Sequence, residues 1–296
     1  MASKVSPSLR AARLDGAVTP EKFWDFVTAR QEIWYCRFEL KHPPPWTDDS
    51  ILQRFFFCNV YRELDKGTQW YLDYVAPRPG TFGSLDFVDV LFRTIVYRLV
   101  NSVAVFEKVG MGGLRDWPVM IGEMRKQEIK PYSPAYLILP QPKDLLSHLD
   151  RLEFLLKRLE PAIEKLAEDI YQEESLEGVS QLLQAQYGIG LFVAMQVYRD
   201  LILAKVLFYD EDSWTDIGPG AVPVLRALTG SSKREDWYAC LEALRREEVP
   251  ELGRRGFHFY QDKPLSLCDI QQAICEYRKY VMLSMGMGKR RYYHGS

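Results

Sequence analysis

A mainly α fold is what this sequence predicts, on three observations. Apolar residues recur at helical spacing through most of the 296 residues. Start and stop signals punctuate them, from Thr19-Pro20-Glu21 at the first start to His42-Pro43-Pro44-Pro45 at its stop. The alternation of strand and helix that a parallel sheet needs is absent.

The first helix is predicted over 19–40, with Thr19 as its cap and Pro20 in its first turn. A second is predicted over 50–66, with ILQRFFFCNVYRELDK as its body. A third, over 85–103, is apolar nearly all round and is expected to be central. A fourth covers 117–127. PAYLILPQP at 134–142 is bounded by prolines and reads as a lone strand or an extended link. Leucines at 146, 149, 152, 155, 156 and 159 give an amphipathic stretch over 143–173, which Pro161 should interrupt. Further helices are predicted over 176–186, 191–207, 220–228, 234–247 and 265–285. Residues 1–18 read as a flexible tail and 286–296 as a basic one. One helical domain therefore spans 19–285, divisible into lobes of 19–142 and 143–285.

Hydrophobic residues make up 47% and charged ones 26%, an ordinary globular balance that needs no disulfides. The net charge is −2, so a polyanion would have to be met by a local basic patch. The five cysteines are scattered with no Cys-x2-Cys pair, and the four histidines lack ligand spacing. No metal and no cofactor is expected. The start, MASKVSPSLRAARL, lacks the apolar core of a signal peptide. No run of about 18 apolar residues offers a membrane span. An intracellular location without a membrane partner is expected. Gly-x4-Gly-Lys-Ser/Thr, the nucleotide phosphate loop, occurs nowhere.

Candidate chemistry lies in three segments. Gly188-Ile189-Gly190 sits between two helical patterns. Its glycines allow positive φ and close backbone approach, and the amides of the next helix start attract an anion. Ile189 would pack between the helices. This is the pattern of a helix-hairpin-helix, which holds a DNA phosphate through backbone amides; a ligand-free corner fits it too. In YDEDSWTDIGPGAVPVLRAL, Asp210, Asp212 and Asp216 precede Gly218, Gly220 and Ala221 at a new helix start. A carboxylate there either activates a nucleophile while amides stabilise phosphate charge, or simply caps the helix. In RFFFCNVYRELDKGTQWY, Asn59, Arg62 and Asp65 follow at i,i+3, so neighbouring pairs would touch on a helix. That stripe is either a buried structural network or a site lining, with Arg for phosphate and Asn for a base edge. Arg54, Arg30 and Arg37 could join it.

Taken together, PWTDDSILQRFFFCNVYRELDKGTQW, QYGIG, DIGPGA and LSLCDIQQAICEYRKY resemble the α-glutamyl/putrescinyl thymine pyrophosphorylase family. That family includes the helical domain of 5-hydroxymethyluracil DNA kinases and the phage amino acid:DNA transferases. The resemblance runs from about residue 29 to residue 280. It implies a helix-hairpin-helix DNA glycosylase-like fold and a part in hypermodifying thymine-type bases. Bifunctional glycosylases carry a lysine two residues after the hairpin's second glycine; here that residue is Phe192, so no Schiff-base lyase is expected. The superfamily's essential aspartate follows the hairpin helix. Asp210 has the more typical spacing and Asp216 the Gly-Pro context, and Asp216 is preferred.

The activity implied is a transferase that replaces the phosphate on an activated 5-hydroxymethyluracil with an amine. Its partners would be double-stranded DNA with a modified thymine and an amine co-substrate. The implied catalytic residues are Asp216, Asp65 and Arg62. Asn59, Arg54, Arg30, Gly218, Gly220, Ala221 and Asp269 would bind substrate, and Gly188, Ile189 and Gly190 would bind DNA. The alternatives are a glycosylase that excises a modified thymine and a non-catalytic DNA-binding subunit of a DNA kinase.

Overall fold

A computed structural model describes residues 14, 16–76, 87–131 and 147–287. Its early helices are α1 (Pro20–Trp34), α2 (Ser50–Arg54), α3 (Lys66–Tyr74), α4 (Phe87–Val100), α5 (Val103–Val109) and α6 (Trp117–Lys126). There follow α7 (His148–Leu159), α8 (Ile163–Gln172), α9 (Leu176–Gln184), α10 (Leu191–Leu203), α11 (Val222–Thr229), α12 (Arg234–Arg254) and α13 (Leu267–Ser284). No β-strand occurs among the described residues, so the fold is mainly α. None of the described helices is long and apolar enough to cross a membrane.

The chain divides into two compact units, Met1–Asp65 with Ile217–Ser296, and Lys66–Asp216. The first unit is discontinuous in sequence, whereas the sequence suggested contiguous lobes of 19–142 and 143–285. In this unit, Thr19 caps α1 by accepting the Lys22 amide at 3.3 Å. The buried face of α1, Phe23, Trp24, Phe26 and Val27, packs in one core with Leu225, Leu241, Ile270, Ile274 and Tyr277. That core contains Leu14 and Val18, so the part of the expected tail that is described is anchored by apolar burial. Residues 1–13, the expected strand at 134–142 and most of the expected basic tail lie outside the described residues.

The second unit is organised around α4, whose residues from Val90 to Val100 are buried except Arg93, as its all-round apolar pattern predicts. It packs against α8 and α10. Arg98 of α4 and Asp200 of α10 form a bidentate buried pair, with Nη2 to Oδ1 at 2.7 Å. The amphipathic stretch is interrupted where expected: α7 and α8 are separated by a 3-10 turn, Glu160–Ala162, that contains Pro161.

The predicted helix over 50–66 is corrected. Within that span, before α3 begins at Lys66, only Ser50–Arg54 is α-helical, and Phe55 is already extended at φ −117° and ψ 147°. Three consecutive phenylalanines lose side-chain freedom in a helix, and Asn and Asp side chains compete for backbone groups. Both effects operate here: Phe57 enters the core, and Asn59 and Asp65 bond to the backbone of their own segment.

Candidate functional site

The segment 55–65 belongs to the first unit, and its polar side chains meet through a loop instead of a helical stripe. The Arg30 guanidinium, on α1, donates to the Phe57 carbonyl at 3.1 and 3.3 Å and to Asn59 Oδ1 at 2.7 Å. The Asn59 carboxamide donates to the Leu64 carbonyl at 2.7 Å, which closes the loop. The Asn59 N–H donates to Asp65 Oδ1 at 2.9 Å. Asn59 therefore touches both Arg30 and Asp65, a junction that the i,i+3 expectation did not place correctly. Arg62 lies between them in sequence, in a 3-10 turn, with its side chain buried.

Burial of its carboxyl pushes the Asp65 pKa from 3.8 up to about 6. The Asn59 N–H and the positive charges of Arg30 and Arg62 pull the other way, and Glu276 adds to the rise. A carboxyl near 6 is largely ionised at neutral pH yet basic enough to take a proton, which is what general-base work asks of it. Beside it, burial pushes the Cys58 thiol well above its ordinary value, with Glu276 and Asp65 contributing. Cys58 is thus a neutral thiol, not a nucleophile.

Helix α13 supports this loop and a second predicted segment. Glu276 Oε2 accepts the Cys58 N–H at 3.3 Å, and the Gln272 carboxamide donates to the Asn59 carbonyl at 3.4 Å. Lys279 pairs with Glu276 one turn on. Cys275, the residue before Glu276, lies so close to Gly220 that a Cβ there would stand 3.0 Å from its Sγ. A side chain at residue 220 would press on the Cys275 thiol, so glycine favours the close packing of the Gly-Pro-Gly loop on α13. Within that loop the Ala221 N–H bonds to the Gly218 carbonyl at 3.0 Å, and Ala221 is buried. Its amide is occupied by the turn.

Other predicted residues fall elsewhere. Asp269 and Ser266 form a capping box at the start of α13, with the Ser266 N–H at 3.1 Å and its hydroxyl at 2.8 Å from Oδ2. Asp269 is thus a helix-start carboxylate that caps α13. Arg54 is exposed, its guanidinium 5.5 Å from the Phe55 ring centroid. Tyr61 is in the core with its hydroxyl donating to the Lys263 carbonyl at 2.5 Å. Trp70 belongs to the second unit and stacks on Tyr97 and Phe106.

In the second unit, Asp216 is buried and accepts the Ser180 hydroxyl of α9 at 2.6 Å. Ser180 in turn accepts from Gln184 at 2.9 Å. Asp210 holds the Asp212 N–H at 2.9 Å in a local turn. The glycine hairpin joins α9 to α10, which pack on each other. Gly188 has φ +86° and Ile189 is buried, as expected. Gly190 is different: it caps α10 with φ −88°, no side chain caps that end, and a Cβ at Gly190 would meet open space. Arg158 of α7 stands 4.7 Å over the half-exposed Tyr187 ring beside the hairpin.

Glu276, Gln272 and Lys279 were missed by sequence reasoning. Their signal was present in LSLCDIQQAICEYRKY, where i,i+4 and i,i+3 spacing puts the three polar groups on one helix face. Among the described residues no group of three or more His, Cys, Asp or Glu is arranged to hold a metal ion.

Comparison with known proteins gives two matches. Residues 18–289 match the family described as 5-hmdU DNA kinase, helical domain. The chain is 25% identical over 292 aligned residues to a 5-hmdU DNA kinase of Bacillus phage SP10, covering 88% of this chain and 45% of that protein. The chain therefore spans less than half the length of this curated relative. No solved structure matches it.

Proposed function

The chain belongs to the family of the 5-hmdU DNA kinase helical domain, and from that premise we propose that it acts on 5-hydroxymethyluracil in DNA as a base-modifying transferase. The observation that carries this reading is the Asp65 carboxyl, raised to about 6 beside Arg30, Arg62 and Asn59. A base poised just below neutrality, next to cations suited to phosphate, fits displacement of a phosphate by an amine.

In this reading the target nucleotide leaves the stack so that its 5-substituent reaches the site. Its hydroxymethyl group has been phosphorylated or pyrophosphorylated beforehand by a DNA kinase partner. The amine nitrogen attacks the C5 methylene carbon, the carbon–oxygen bond breaks, and the phosphate leaves with the bonding electrons. Asp65 takes the proton that the amine gives up. Arg62 faces the leaving phosphate, and Asn59, steadied by Arg30, meets the base edge. Gly188 to Gly190 hold a strand phosphate, in the manner of a helix-hairpin-helix glycosylase-like fold. Asp65 is taken as the base in preference to Asp216, which is buried and accepts the Ser180 hydroxyl.

One observation favours a second reading. The chain covers only 45% of a relative named as a kinase. It would then be a non-catalytic DNA-binding subunit that presents DNA to a kinase. One experiment separates the readings. Duplexes carrying thymine, 5-hydroxymethyluracil or its phosphorylated forms are incubated with an amine pool and analysed by nucleoside mass spectrometry. The transferase reading expects a base of changed mass only on the phosphorylated substrates. Abasic sites would identify a glycosylase, and unchanged DNA that is nevertheless bound would identify the non-catalytic subunit.

A further inference from the structure

We propose that Glu276 is a positioning residue: from α13 its buried carboxylate holds the Cys58 amide and thereby fixes where the Asp65 carboxylate stands. Glu276 is 5% exposed and lies 218 residues from Cys58 in sequence, yet accepts its N–H at 3.3 Å. The next residue, Asn59, is held from the same helix face by Gln272 at 3.4 Å, and its own N–H binds Asp65 at 2.9 Å. The chain of contacts thus runs from α13 to residues 58 and 59 and on to Asp65. A loop without regular backbone pairing has no ladder to fix it, so these side-chain anchors set its geometry.

The charges support the same role. Facing Asp65 are Arg30 from α1, Arg62 from the adjoining turn and Glu276 from α13, and Lys279 pairs with Glu276 on that helix. The Cys58 thiol, neutral, lies in the same loop. Glu276 is the negative member of the set, and it opposes ionisation of Asp65. It therefore holds the loop and also adds to the rise that burial gives the Asp65 carboxyl.

This role in a reaction rests on the reading of Asp65 as the base, so its test reads the loop and the carboxyl directly. Amide hydrogen exchange at Cys58 and carbon-13 titration of the Asp65 carboxyl are recorded by NMR on the full chain, for wild type, Glu276→Gln and Glu276→Ala. Glu276→Gln retains an acceptor, so Cys58 stays protected, but the Asp65 midpoint falls. Glu276→Ala removes the acceptor, and exchange at Cys58 speeds up about tenfold. A purely structural role would change exchange and leave the titration where it was. An unchanged Asp65 midpoint in Glu276→Gln overturns the proposal, and that variant decides alone should Glu276→Ala fail to fold. If the NMR results hold while Asp65→Asn turns over DNA as wild type does, the functional reading fails and the positioning stands.

Discussion

The Asn59 N–H donates to Asp65 Oδ1 at 2.9 Å, and this bond with two nearby arginines still leaves the carboxyl at about 6. Desolvation outweighs its partners. The folded state therefore binds a proton more tightly than the unfolded chain, whose reference is 3.8. The stability linked to that proton is fully present below about 3.8, falls as pH rises, and is gone above about 6. The whole effect is at most about 3 kcal/mol. Asp65→Asn keeps an acceptor for the Asn59 N–H and removes the charge. Denaturant unfolding should find the variant more stable than wild type at pH 7.5, by about 1–3 kcal/mol, and level with it at pH 3.5. Equal stabilities at both pH values would show that Asp65 is not raised.

The buried Arg98–Asp200 pair joins the two central helices of the second unit. Removing one partner leaves the other charged and without its counter-ion in a desolvated place. Asp200→Ala should cost about 3–5 kcal/mol in denaturant unfolding. A loss below about 1 kcal/mol would mean that Arg98 finds water or another anion.

The two hairpin glycines differ, and substitution separates them. Gly188 has φ +86°, where a Cβ is strained, so Gly188→Ala should lower stability by about 1–2 kcal/mol. Gly190 has φ −88° and open space for a Cβ, so Gly190→Ala should change stability by less than about 0.5 kcal/mol. The added methyl nevertheless stands where a backbone phosphate would approach α10. Binding titrations with duplex DNA should show Gly190→Ala weakened about tenfold or more. Wild-type affinity in that variant would remove the hairpin from the DNA surface.

Arg158, over the Tyr187 ring beside the hairpin, adds a positive charge there. If the strand passes the hairpin, Arg158→Ala should weaken binding to all duplexes alike. It should also reduce the slope of log K against log salt by about one. An unchanged slope would place the strand elsewhere.

Much of the fold was legible because capping and periodicity are local. Thr19, Pro161 and the all-round apolar pattern of α4 each act where sequence reasoning put them. The segment 55–65 was not legible. Its aromatic run has helical spacing, but Phe57 is drawn into a core built by α1, α11, α12 and α13, which lie far away in sequence. The site was half legible for the same reason. Arg30, Asn59 and Asp65 were recognised as polar residues in an apolar setting, whereas Glu276 enters through a contact across 218 residues. Asp216 was favoured by its Gly-Pro context, a signal that cannot reveal its bond to Ser180.

The most direct test is single-turnover conversion of a duplex carrying a phosphorylated 5-hydroxymethyluracil, with an amine present, by wild type, Asp65→Asn and Asp216→Asn, read by nucleoside mass spectrometry. Loss of a general base predicts that Asp65→Asn is slowed about 100- to 10,000-fold and that Asp216→Asn is slowed less. Wild-type rates in Asp65→Asn, or no conversion by the wild-type chain, would contradict the assignment of this site.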